Sequence, residues 1–174
     1  MKKVLVFIAL FIIAGVSVKA QSVVAKREFN NTLKTYFETK NALAKDNAVL
    51  ASETVKSLIK NIDGFPVKTL TAAQQVLWKT ESANIKKAAL SISTEKVLKE
   101  QRKSFWPLST AMLKLAKALK LNNNDVYVQY CPMAKKSWLN DVEAVQNPFY
   151  GSMMYDCGEV TETIAKPATT AGGK

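Results

Sequence analysis

The stretch Ser104-Phe105-Trp106-Pro107-Leu108-Ser109-Thr110-Ala111-Met112-Leu113-Lys114-Leu115-Ala116-Lys117-Ala118-Leu119 decides the fold. Its apolar residues Phe105, Leu108, Met112, Leu115 and Leu119 step by three, four, three and four, the spacing that puts one stripe along a helix. Pro107 falls inside the stripe. Proline lacks the amide that an interior helical position donates, so a kink or break is expected near Ser104.

Reading back from this stretch, the chain from Ala25 is short of glycine and rich in Ala, Leu, Lys and Glu. A first helix is expected over about 25–45, with Phe29, Leu33, Tyr36 and Leu43 on one face. Asp46 or Asn47 should cap a second, carrying Ala51, Val55, Leu58 and Ile62, which Gly64 and Pro66 end. Thr71 should open a third, to about Ser91, with a polar middle from Lys79 to Asn84, and the fourth opens near Ser93 or Thr94. The expected fold class is all-α: an up-and-down four-helix bundle with a small irregular C-terminal cap that contains Cys and Met.

Beyond Leu121 the pattern changes. Asn122 to Asp125 is a turn, Val126 to Tyr130 has strand composition, and an irregular segment rich in aromatics, Pro and Gly runs to Val160. At the other end Lys2 and Lys3 precede an uncharged apolar run from Val4 to Val18, followed by Lys19-Ala20-Gln21. This is the pattern of a secretory signal peptide cleaved after Ala20, too short to span a bilayer. The domain reading is therefore a signal peptide over 1–20, one helical domain with its cap over 21–160, and a disordered tail over 161–174. A soluble periplasmic protein without membrane insertion is expected.

Loss of Lys2, Lys3 and Lys19 with the leader takes 25 basic residues to 22 against 14 acidic ones, a net charge of +8. The lysines are interspersed with glutamates along helices, as on a solvated face, and no basic-aromatic motif points to nucleic acid. The chain has no histidine. That removes the commonest general base, the Ser/His and Cys/His nucleophile pairs and most zinc arrangements, and no glycine-rich phosphate loop is present. An enzyme is not expected.

Both cysteines lie in the cap, each with a methionine close by: Cys131-Pro132-Met133 and Met154-Tyr155-Asp156-Cys157. Thiolate and thioether donors together suit Cu(I), with Cys131, Met133, Met154 and Cys157 as ligands. The competing reading is a disulfide between Cys131 and Cys157, usual for two cysteines in an exported chain and contributing about 3 to 4 kcal/mol by loop entropy. Pro148 and Gly151 would let the loop turn tightly, and Trp138, Phe149 and Tyr150 would pack beneath it.

The segments Val126 to Ala134, Ser137-Trp138-Leu139, Asn147-Pro148-Phe149-Tyr150-Gly151 and Met154 to Val160, with Gln101 to Ser109 upstream, resemble a bacterial family of exported domains of unknown function. Its members occur alone or fused to periplasmic adaptor subunits of copper and other heavy-metal efflux systems. The resemblance runs from about Phe29 to Val160. It implies a role in binding or handing on Cu(I), with a heavy-metal efflux adaptor or another periplasmic copper protein as partner. This chain lacks an adaptor segment, so it would act as a free carrier, sensor or accessory. The alternative function is a disulfide-stapled helical interaction module of the cell envelope with no metal.

Overall fold

A computed structural model describes residues 2–168, with side chains from Val23 onward. The apolar leader and its cleavage after Ala20 therefore lie outside the residues with described side chains, as does the end of the expected tail. Four helices, α1 (Lys2–Ala44), α2 (Ala48–Asp63), α3 (Ala72–Thr94) and α4 (Leu98–Leu119), make up the core. Among the described residues no helix is long and apolar enough to cross a membrane.

Local chemistry sets the helix ends. The Asn47 side chain accepts from the amide of Leu50 at 2.9 Å and starts α2, while Thr71 and Gln74 cap α3 reciprocally. The expected stripes are the core: Phe29, Tyr36, Leu43, Val55, Leu58, Phe105, Leu108, Met112 and Leu115 are fully buried. The polar middle of α3 has a specific explanation, because buried Glu81 accepts from Lys114 of α4 at 2.9 Å.

Two expectations about α4 are corrected. It starts at Leu98 rather than near Ser93, and it runs unbroken through Pro107. Pro107 is exposed while Phe105, Leu108 and Ser109 around it are buried. The carbonyl that loses its helical donor thus faces water, and packing on the other side holds the rod together.

The all-α class is corrected as well. The cap holds a three-stranded antiparallel sheet of β1 (Val126–Cys131), β2 (Lys136–Asn140) and β3 (Glu159–Ile164), in the order β2-β1-β3. Thr161 to Ile164, expected in a disordered tail, pair with β1 as part of β3. Because β3 is an edge strand with most side chains exposed, it carries almost no apolar signature.

The helices pack in chain order, α1 on α2, α2 on α3 and α3 on α4. The space between α1 and α4 is filled by β2, whose Trp138 and Leu139 are fully buried. Polar groups anchor this insertion. The Tyr36 hydroxyl lies 2.8 Å from Ser109 Oγ and accepts from the Leu139 amide at 3.1 Å, and Ser109 Oγ donates to the Ser137 carbonyl at 3.2 Å.

Candidate functional site

Strand register brings the two cysteines together. Cys131 is the last residue of β1, opposite Lys136 of β2, with the turn Pro132 to Lys135 between them. On the other flank Tyr130 pairs with Glu159, so the chain entering β3 passes Gly158 and sets Cys157 beside Cys131. Gly158 has φ +148°, and a Cβ there would meet the Tyr130 carbonyl oxygen at 2.8 Å and Trp138 Cη2 at 3.1 Å. Only glycine passes between the strand and the indole at this point.

The two Sγ atoms are 3.2 Å apart and both thiols are free, Cys131 buried and Cys157 half-buried. Burial opposes ionisation of Cys131, but the Ala134 amide, the Cys157 thiol, the Met133 amide and the Asn147 side chain outweigh it and hold this thiol below its ordinary range. The Ala134 amide lies 3.4 Å from the sulfur. Cys157 moves the other way, since its hydrogen bond to Cys131, then burial, then the negative charge on Cys131 and Asp156 keep its proton on. Of the two, Cys131 is the thiol whose ionisation is favoured, with Cys157 as its hydrogen-bond partner.

Asn147 organises the second loop. Fully buried, it donates through Nδ2 to the Cys157 carbonyl at 2.9 Å, and its Oδ1 accepts from the Phe149 and Tyr150 amides at 2.8 and 3.2 Å. Its backbone amide donates to the Tyr155 carbonyl at 2.7 Å. Pro148 is buried beside it, and the Pro148 carbonyl accepts from Arg102 Nε of α4 at 3.0 Å. Gly151 adopts φ +61° where a Cβ would collide with the Asp46–Arg102 ion pair. Asp46 also holds Ser152, so this pair ties the loop to the turn between α1 and α2 and to α4.

The methionines divide. Met133 is 62% exposed and Met153 78% exposed, and both line a surface cavity of about 470 Å³ with Ala134, Lys136, Phe149 and Tyr150. Met154 is half-buried, and its carbonyl accepts from the Cys157 amide at 3.2 Å. Lys136 Nζ rests 5.4 Å from the Trp106 ring and 5.2 Å from Phe149. Trp138 is fully buried under the cysteine loops, edge-on to Phe149 at 5.9 Å. Among the described residues no three Cys, Asp or Glu side chains gather in one place. A metal held by the two thiols would draw its other soft donors from the methionines of the two loops.

Over residues 32–124 the chain matches a family described as "Protein of unknown function (DUF3347)". The chain belongs to the DUF3347 family. The matched DUF3347 segment runs from α1 to the turn before β1, so it covers the bundle. The resemblance drawn from the sequence extends further, to Val160, and the loops that carry both cysteines lie beyond the matched DUF3347 residues. No curated protein and no solved structure is significantly similar to the chain.

The sequence singled out Cys131, Cys157, Met133, Met154, Trp138, Pro148, Tyr150 and Gly151. It did not single out Asn147, the Ala134 amide or Gly158, which set the acidity and approach of the thiols. An Asn-Pro-aromatic run is a recognisable turn signal, and that signal could have marked Asn147 as the residue closing the loop.

Proposed function

We propose that this protein is an exported, non-enzymatic carrier that binds Cu(I) through Cys131 and Cys157, with Met133 and Met154 as thioether donors. The observation that carries the reading is the 3.2 Å approach of two free sulfurs, one of them held below the ordinary thiol range by the amides around it. Two sulfurs on one tetrahedral ion with metal–sulfur bonds of about 2.3 Å would stand roughly 3.8 Å apart. Admitting an ion thus needs an opening of only about half an ångström. Cys157, half-buried and next to a glycine, is the side able to yield. Soft donors favour a monovalent copper ion over harder cations, and the partly exposed thioethers give such an ion a route in and out. The proposed setting is the periplasm, where the protein would buffer copper or deliver it to a heavy-metal efflux adaptor or another copper protein.

A second reading has its own support. Met133 and Met153 stand largely in solvent on a cavity wall, and a disulfide needs neither of them. A bond of about 2.0 Å between the same sulfurs would staple β1 to the entry of β3 and leave the bundle as an interaction module.

Titration of reduced protein with Cu(I) against a chromophoric chelator separates the two. One equivalent should be withdrawn from the chelator, Cys131→Ser with Cys157→Ser should abolish this, and Met133→Leu or Met154→Leu should weaken it without loss of helix. Reduced, folded protein that takes no Cu(I) from the chelator would leave the stapled module as the function.

A further inference from the structure

The cavity of about 470 Å³ beside the cysteine loops carries charge of one sign. Lys99, Arg102, Lys103 and Lys136 line it, and no carboxylate does. Four other cavities each mix the two signs, with Glu38, Asp63, Glu81 and Glu162 set against lysines. Arg102 is taken up by Asp46, and Lys103 by Glu100 at 2.7 Å. Lys99 and Lys136 have no ion-pair partner among the described residues, so the wall keeps a surplus of positive charge.

Between these cations the lining is apolar. Met133 and Met153 stand largely in solvent, Met153 more so than any other large apolar side chain among the described residues. Phe149 and Tyr150 lie beside them, half-buried. Lys136 Nζ rests over the Phe149 and Trp106 rings, and Trp106 is itself 50% exposed. Lys99, Lys103 and Trp106 follow one another at steps of four and three along α4, so they share one exposed face. Exposed thioethers and aromatic rings set in a recess with a charged rim have the make-up of a protein-binding surface rather than of a solvated face.

Charge and shape together choose the occupant. A bilayer is too flat to enter the recess, and a small anion would leave its apolar floor uncovered. We infer that this wall docks an acidic segment of a partner protein, one apolar side chain of the segment resting on Met133, Met153 and Tyr150 while flanking carboxylates reach Lys99, Lys103 and Lys136. Neither cysteine lines the cavity, so the inference stands whether the pair holds copper or a disulfide.

NMR titration of reduced, metal-free protein with isotope-labelled methionine methyl groups tests it, the probe being a synthetic peptide of phenylalanine flanked by glutamates. The Met133 and Met153 signals should move saturably and the fully buried Met112 should not, and raised salt should reduce the effect. A peptide with lysines in place of the glutamates should not bind, and one with glycine in place of the phenylalanine should bind more weakly. Lys99→Glu with Lys103→Glu, both at exposed positions of α4, should weaken binding about tenfold, while Glu100→Gln, which frees Lys103, should tighten it about twofold. Vesicles of phosphatidylcholine and phosphatidylglycerol, added in place of the peptide, should leave both signals unmoved. Absence of a saturable shift, shifts that survive the double charge reversal, equal binding of the lysine peptide, or a preference for the vesicles would each overturn the assignment.

Discussion

The Tyr36 hydroxyl of α1 lies 2.8 Å from Ser109 Oγ of α4, and it bridges helices that barely touch each other because β2 stands between them. The same oxygen accepts the Leu139 amide of β2 at 3.1 Å, so one phenol joins three elements. Tyr36→Phe keeps the ring and its stacking on Phe105 but leaves the buried Leu139 amide without an acceptor. A loss of about 1 to 3 kcal/mol is expected, the cost of one buried unsatisfied group. Urea unfolding of the two proteins checks it through the midpoint at constant slope.

Lys40 is fully buried, its ammonium donating to Asn140 Oδ1 at 2.5 Å and Gln146 Oε1 at 2.8 Å. Burial is the main cause that pushes its pKa from 10.5 down to about 8, opposed by Asp141 and assisted by Lys45. Between those values the unfolded chain holds more protons than the folded one, so stability rises as pH rises from about 8 toward 10.5. Below that window the full cost is present, about 3 kcal/mol. In Lys40→Met the rise should flatten, as measured by denaturant unfolding at a series of pH values. An equally steep rise in the variant would contradict the burial argument.

The thiols should titrate as a pair, the first proton leaving below the ordinary cysteine value of about 8.5 and the second above it. Thiolate absorbance against pH measures both steps. Asn147→Ala removes a donor that favours the Cys131 thiolate, and it should move the first step upward. In Cys131→Ser the remaining Cys157 should show one step, closer to ordinary, because its hydrogen bond to the Cys131 sulfur and the charge there are gone.

Gly158→Ala tests how Cys157 is positioned. The added methyl meets the Tyr130 carbonyl and the Trp138 ring, and the left-handed φ is costly for alanine. Strain of about 1 to 3 kcal/mol is expected in unfolding, together with slower formation of the Cys131–Cys157 disulfide under a mild oxidant. Unchanged stability and oxidation rate would mean that the entry into β3 adapts without effort.

The helices were legible because each buries a stripe with a period near 3.6, and the stripes from Phe29 to Leu119 are indeed the core. The strands were less so. Val126 to Tyr130 has β composition, but β2 is five residues long and β3 is an exposed edge, so neither repeats long enough to register. Pro107 misled, because the rule it invokes applies to a helix interior in general and not to a solvent-facing turn backed by packing. Lys40 reads as one more surface lysine, and only the distant Asn140 and Gln146 give it a buried role. For the site, residue types suggested that the cysteines converge, whereas their unequal acidity depends on amides and on Asn147, which carry no charge to notice.

The central claim is that the dithiol holds one Cu(I). Native mass spectrometry of the reduced protein after exposure to excess Cu(I) and buffer exchange tests it most directly, with thiol counting on the same sample. The account predicts one copper per chain, both thiols blocked from alkylation while the metal is bound, and no copper in the Cys131→Ser, Cys157→Ser double variant. A folded, reduced chain that emerges free of copper, or a double variant that retains it, would contradict the account.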